Sequence, residues 1–228
     1  MDVFAEIKRL VDAGEYRDEL YGKPGHALAG GGTFLSDRNG EPMQRVYWRG
    51  TSEYEEARDA GMIERLPPLR PAPRDAVAEA EQAIGHPLPP LLSRLYLEVG
   101  NGGFGPGYGI LGLGGGHADD RGHTALDLYR TWTPREGLLP VCSWGCGIYS
   151  LLDLSTAEGD MWGFDPNPVP PEQLDRALYR ESFDFRTWLE RWVRGACYQP
   201  VVVEDEQTGE WRGATEAEYE QWQLELEG

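Results

Sequence analysis

Apolar residues recur at helical spacing in several stretches of the chain. Phe4, Ile7, Leu10 and Val11 predict an N-terminal helix over 3–11. From Asp75, the stripe Ala76, Val77, Ala80, Ala83 and Ile84 predicts a second helix, closed by Gly85. Pro89 and Pro90 can open a third, with Leu91, Leu92, Leu95, Tyr96 and Val99 on one face and Gly100 at its end. A later helix is expected from near Ser182 to Gly195, burying Phe185, Trp188, Leu189, Trp192 and Val193. Thr51 or Ser52 can cap a short acidic helix to about Ala60.

Between these helices lie short apolar runs at 110–113, 139–141, 148–152 and 161–164, which read as strands, with turns at 142–147 and 153–160. Near the N-terminus, the run 33–35, the Asn39-Gly40 turn and the run 46–48 predict a hairpin, because Asn-Gly supplies the positive φ of a tight turn. Residues 66–73 hold four prolines and read as a linker or as a strap across the following domain. The tail adds a strand at 201–203, a turn at Gln207-Thr208-Gly209 and a closing helix. Thr215 and Glu218 form a capping box for that helix, and Tyr219, Trp222 and Leu226 share one of its faces. The order of elements predicts an α+β fold: a twisted, largely antiparallel sheet with helices packed on one face. It divides as an N-terminal extension (1–70, helix, hairpin, short helix and proline strap), a central domain (71–198) and an acidic strand-helix extension (199–228).

Charge narrows the partners. The net charge is −18, and the last thirty residues carry nine acidic residues against one arginine. Such a field repels phosphate backbones and anionic lipid, so direct nucleic-acid or membrane binding is not expected, whereas a basic protein would be drawn to it. No apolar run reaches the ~18 residues that span a bilayer, and the start of the chain has no secretory pattern. Three cysteines argue against a disulfide framework, and the expectation is a cytoplasmic protein.

The motifs with chemical potential weaken on inspection. Gly-x-Gly-x-x-Gly occurs at Gly100, Gly102 and Gly105 and again at Gly107, Gly109 and Gly112. A phosphate cradle needs a strand before the loop and a helix after it, and here the first match follows a helix. His117, Asp119, Asp120 and His123 could in principle ligate a metal. Their spacing fits no mechanical ligand pattern, so a solvated, mobile loop is expected. Cys142 and Cys146 are separated by three residues, not two, and read as small packed thiols. There is no Gly-x-Ser-x-Gly elbow. No catalytic residue, cofactor or metal is expected.

The remaining pattern resembles one family. Glu81, Ile84, Gly85, Leu88, Pro89 and Leu92, a helix reaching Tyr96 and Leu97, and then Asn101-Gly102-Gly103 resemble the opening motif of the SUKH superfamily, centred on the fungal Smi/Knr cell-wall-assembly regulators. Leu139-Pro140-Val141, the glycines around Trp144, Leu151 to Leu154, Phe164-Asp165 and the helix from Ser182 to Trp192 are similar to its later positions. The resemblance covers 71–198. The turn Ser143-Trp144-Gly145 departs from the polar or acidic turn often found there. The resemblance implies an α+β, non-catalytic domain. It also implies an immunity protein that neutralises a cognate toxin, often a nuclease or deaminase; a regulatory or scaffolding module is the alternative. Asp119, Asp120, Asp160 and Asp165, with Trp144 and Trp162 as anchors, are the candidate contacts to a basic toxin domain.

Overall fold

The computed structural model describes residues 1–23, 45–205 and 207–227. Its centre is a four-stranded antiparallel sheet in the order β3-β4-β5-β6: β3 Leu138–Gly145, β4 Ile148–Asp153, β5 Asp160–Phe164 and β6 Leu178–Asp184. Cys146 (φ 50°) and Gly147 (φ 79°) join β3 to β4. Two consecutive positive-φ residues match the right-handed twist of the strands, so this hairpin closes in two residues. The turn expected at 142–147 therefore shrinks to its last two positions, and β3 runs on through Trp144.

Around the sheet lie α3 (Arg74–Ile84), α4 (Pro90–Glu98), α5 (Ala125–Thr131) and α6 (Phe185–Val193). In α3 the inward residues are Val77, Ala80 and Ile84, and in α4 they are Leu92, Leu95 and Tyr96, close to the expected stripes. Gly85 at φ 78° ends α3 in the left-handed conformation that costs glycine nothing. The Asp184 carboxylate accepts from Thr187 N at 2.8 Å and starts α6 there. The residues before it, expected as the first helical turn, are instead the edge strand β6, preceded by a 3₁₀ segment at Pro171–Ala177. The helix α5 has no counterpart in the sequence reading. It is seven residues long, and the reciprocal Thr124–Asp127 capping box defines its start. The run 110–113 is not a strand. Ile110 makes a single bridge to Cys142, and glycines on both sides of the run break the ladder.

The N-terminal helix α1 (Val3–Ala13) inserts Val3, Phe4, Ile7 and Leu10 into the same hydrophobic cluster as the sheet and packs on α6. Full burial of such side chains stabilises by about 1.5–3 kcal/mol each. Next come β1 (Glu19–Tyr21) and β2 (Val46–Trp48), an antiparallel pair, and then α2 (Ser52–Asp59), which Thr51 caps. Within the described residues the partner of 46–48 is thus 19–21. The expected first arm at 33–35 and its Asn39-Gly40 turn lie outside them. The proline segment is a strap: Leu66 N donates to Gly14 O, Ala72 N to Tyr96 O and Asn101 N to Arg70 O, at 2.7–2.8 Å. The tail forms β7 (Val202–Glu204), β8 (Trp211–Gly213) and α7 (Glu216–Glu227). Thr215 N donates to the Glu218 carboxylate at 2.7 Å in the expected capping box.

Candidate functional site

The glycine loop that follows α4 spends its polar groups on its own chain. Gly103 N donates to Ile110 O, Gly112 N to His117 O, and His117 N to Asn101 O. Asn101 Oδ1 accepts from Leu113 N at 2.8 Å. Residues 16–18 complete the seal. Gly105 N donates to Tyr16 O, Arg17 Nε to Gly103 O at 3.0 Å, and Gly107 N to Asp18 Oδ2 at 2.9 Å. The amides that a phosphate would need are occupied, and the loop sits at a helix C-terminus, where the dipole disfavours anions. Burial pushes the Asp18 carboxyl up to about 6, outweighing the Gly107 amide, the Arg49 guanidinium and Trp192, which all favour its ionised form.

The 117–123 segment is tied down at His117 and Asp119, whereas Asp120, Arg121 and Gly122 are exposed as a solvated loop would have them. His117 Nε2 donates to Tyr108 O at 2.8 Å, and burial lowers the pKa of its ring, which favours neutral imidazole. The Asp119 carboxylate is buried. It accepts from Arg121 N, His123 N and the Tyr149 hydroxyl, at 2.8–3.1 Å. Burial, with Asp119 beside it, pushes the Tyr149 hydroxyl up to about 12. Among the described residues, no three His, Cys, Asp or Glu side chains form a group that could hold a metal.

Of the six expected contact residues, two are turned inward. Asp119 holds its own loop, as above. Asp165, 4% exposed, accepts from Asn167 N and Nδ2 and from Val202 N, which ties β7 to the sheet. Neither is a surface contact in this fold. Both accept from backbone amides of their own turn, as Asx residues commonly do, and each also holds a distant partner, Tyr149 for Asp119 and Val202 for Asp165. Asp120 is exposed, and Asp160 is half-buried and paired with Arg180. Trp162 is half-buried, with the Arg135 guanidinium 5.1 Å from its ring centre. Trp144 is half-buried and donates from Nε1 to Ser150 Oγ at 2.9 Å.

The two tryptophans do not share a face. Trp162 pairs with Leu151, whereas Trp144 reaches the side chain of Ser150, and adjacent β residues point to opposite sides. Asp160, two residues from Trp162 on β5, shares its side of the sheet. Sequence reasoning passed over Asp18, Tyr179 and Glu181, and read Tyr219 only as part of a helix face. Glu181 stood just before the helix expected from near Ser182, and Asp18 stood between two expected elements.

A family model described as the SMI1 / KNR4 family (SUKH-1) matches residues 71–191, from the proline strap through most of α6. No curated protein matches the chain, and no solved structure matches it.

Proposed function

Because the chain belongs to the SMI1 / KNR4 family (SUKH-1), we propose that it is a non-catalytic immunity protein that binds and neutralises a basic toxin domain. Family membership carries the proposal, and the charge of −18 supports it, since a basic partner would be steered onto such a surface. A nuclease or deaminase domain fits, because proteins that handle nucleic acid carry basic surfaces. The proposed contacts are Asp120, Asp160 and Trp162, around the face of the sheet to which Trp162 belongs. Trp144 would serve a second patch on the opposite side.

Co-expression with the protein encoded beside this chain tests the reading. The expected result is rescue from that protein's toxicity and a complex that weakens steeply as salt rises. A complex without rescue would favour the regulatory or scaffolding module, and a neighbour with no toxic activity would remove the basis for an immunity role.

A further inference from the structure

A cavity of about 410 Å³ lies between β6, the end of α6 and the tail. It falls within the range of sites that take a small group, about 300–1,000 Å³. Tyr179, Phe183, Tyr198 and Tyr219 line it together with the carboxylate of Glu181. The rings of Tyr198 and Tyr219 stack at 5.0 Å, 12° apart.

The charges around the cavity are unevenly settled. Arg180 pairs with Asp160, Arg191 with Glu216 at 3.6 Å, and Arg212 with Glu218 at 2.8 Å. Each of these guanidiniums has its own carboxylate. Glu181 has the Tyr179 hydroxyl and the field of Arg191, and burial still raises its pKa despite both. One wall already holds a cation of the chain's own, the Arg191 guanidinium 4.5 Å from the centre of the Phe183 ring.

We infer that this cavity receives a cationic side chain, lysine or arginine, from a protein partner, with Glu181 as counter-charge and the tyrosine rings as the cage. Aromatic faces attract a cation through the ring quadrupole, and the attraction grows where water is excluded. A protein side chain is the favoured source because the acidic tail forms one wall. The tail's charge acts over the distance of a macromolecular encounter, which a free amine exploits far less. The inference rests on the proposed function for the identity of the partner, but not for the chemistry of the site.

The test is a titration of the full chain with N-acetyl-lysine methylamide and N-acetyl-arginine methylamide, followed by amide NMR shifts, with N-acetyl-norleucine methylamide as the neutral control. Saturable shifts at Tyr179, Glu181, Tyr198 and Tyr219 are expected with the two basic probes and not with norleucine. Glu181→Gln should weaken binding by about tenfold, and Phe183→Leu by about threefold. The two variants attack the site independently, and their spectra report whether the fold survives. Equal binding of norleucine, shifts scattered along the tail acids, or indifference to both variants would overturn the inference. Tighter binding of agmatine than of the capped arginine would overturn the choice of a protein side chain. Rescue from toxicity without probe binding would sink the cavity and leave the immunity reading intact. Probe binding without rescue would do the reverse.

Discussion

The glycine loop after α4 and the cavity beside the tail differ in what they do with their polar groups. In the loop, the amides of all six motif glycines are bonded within the chain, two of them to Tyr16 and Asp18. In the cavity, four aromatic rings line the walls, and the Glu181 carboxylate has a tyrosine hydroxyl but no ion pair among the described residues. The loop looked like a binding motif because of its glycines, but those glycines answer a packing demand. A Cβ on Gly112 would stand 2.5 Å from His117 N and 2.7 Å from Gly116 Cα. The cavity drew no notice in the sequence because strand residues, a tyrosine pair and an acidic tail look ordinary one by one. A capacity to bind appears where a fold leaves a charge without an ion pair, not where a motif is dense.

The largest expected effect breaks the loop. Gly112→Ala places a methyl group against backbone that cannot step aside, since Asn101, Gly116 and His117 are fixed by the bonds that close the loop. Overpacking of this kind costs about 3 kcal/mol or more. Urea unfolding should show a correspondingly lower midpoint at unchanged slope. A loss below about 1 kcal/mol would mean that the loop is plastic, and its contrast with the cavity would collapse.

Asp18 sharpens the comparison, because it ties the N-terminal segment to the loop. The groups that face it are the Gly107 amide, Arg49, Trp192, Cys142 and Cys197. Its folded pKa, about 6, lies above the ordinary aspartate value. Between about pH 4 and pH 6 the folded state therefore binds more protons than the unfolded state. The contribution of this group to stability is fully present below about pH 4 and is lost as pH rises through 6. The loss at pH 7 amounts to as much as about 3 kcal/mol. Asp18→Asn keeps an acceptor for the Gly107 amide and cannot ionise. The stability of the variant relative to the parent chain should therefore rise between pH 4 and pH 7. A difference that stays flat across that window would show that the carboxylate is better solvated than its position implies.

The sequence made α1, α3, α4 and the inner strands legible because each has a strong period and a clear stop, whereas the seven-residue α5 escaped it. Val77, Ala80 and Ile84, then Leu92, Leu95 and Tyr96, are spaced as a buried stripe must be, and Gly85 ends α3 where expected. The strand β6 was hidden because Tyr179, Glu181 and Phe183 precede a helix, and their polar neighbours blur any alternation. The 110–113 run misled in the opposite sense. Ile110, Leu111 and Leu113 are buried, but burial alone does not make a ladder when glycine follows at 112. Among the candidate contacts, residue type could not separate Asp119 and Asp165, spent on backbone amides, from Asp120 at the surface. That distinction depends on which loops fold back on themselves.

A glycine in the tail should behave differently from Gly112. A Cβ on Gly213 would also collide, but with the ring of Tyr179, which is held on its other side by Gly163. The ring cannot retreat into the sheet, so the tail is the element that yields. Gly213→Ala should release β7, β8 and α7 to rapid amide exchange and abolish binding of the lysine probe. Protection of β3, β4 and β5 should persist, with a global loss of about 1–2 kcal/mol. Equal damage to the sheet would mean that the tail and the central domain unfold as one unit.

The smallest effect tests whether the tail helix has a stability of its own. Thr215 caps α7 by accepting from Glu218 N, and Glu218 returns the bond to Thr215 N while pairing with Arg212. Those bonds hold the Glu218 carboxyl down at about 2. Thr215→Ala removes the side-chain half of the box and leaves the arginine pair in place. Lost caps typically cost about 1 kcal/mol of helix stability. Exchange of the α7 amides should quicken by about fivefold while the urea midpoint of the whole chain stays put, because the helix opens locally before the sheet does. A shift in that midpoint would show that the cap supports the sheet through β8, and the cavity would then belong to the same cooperative unit as the glycine loop.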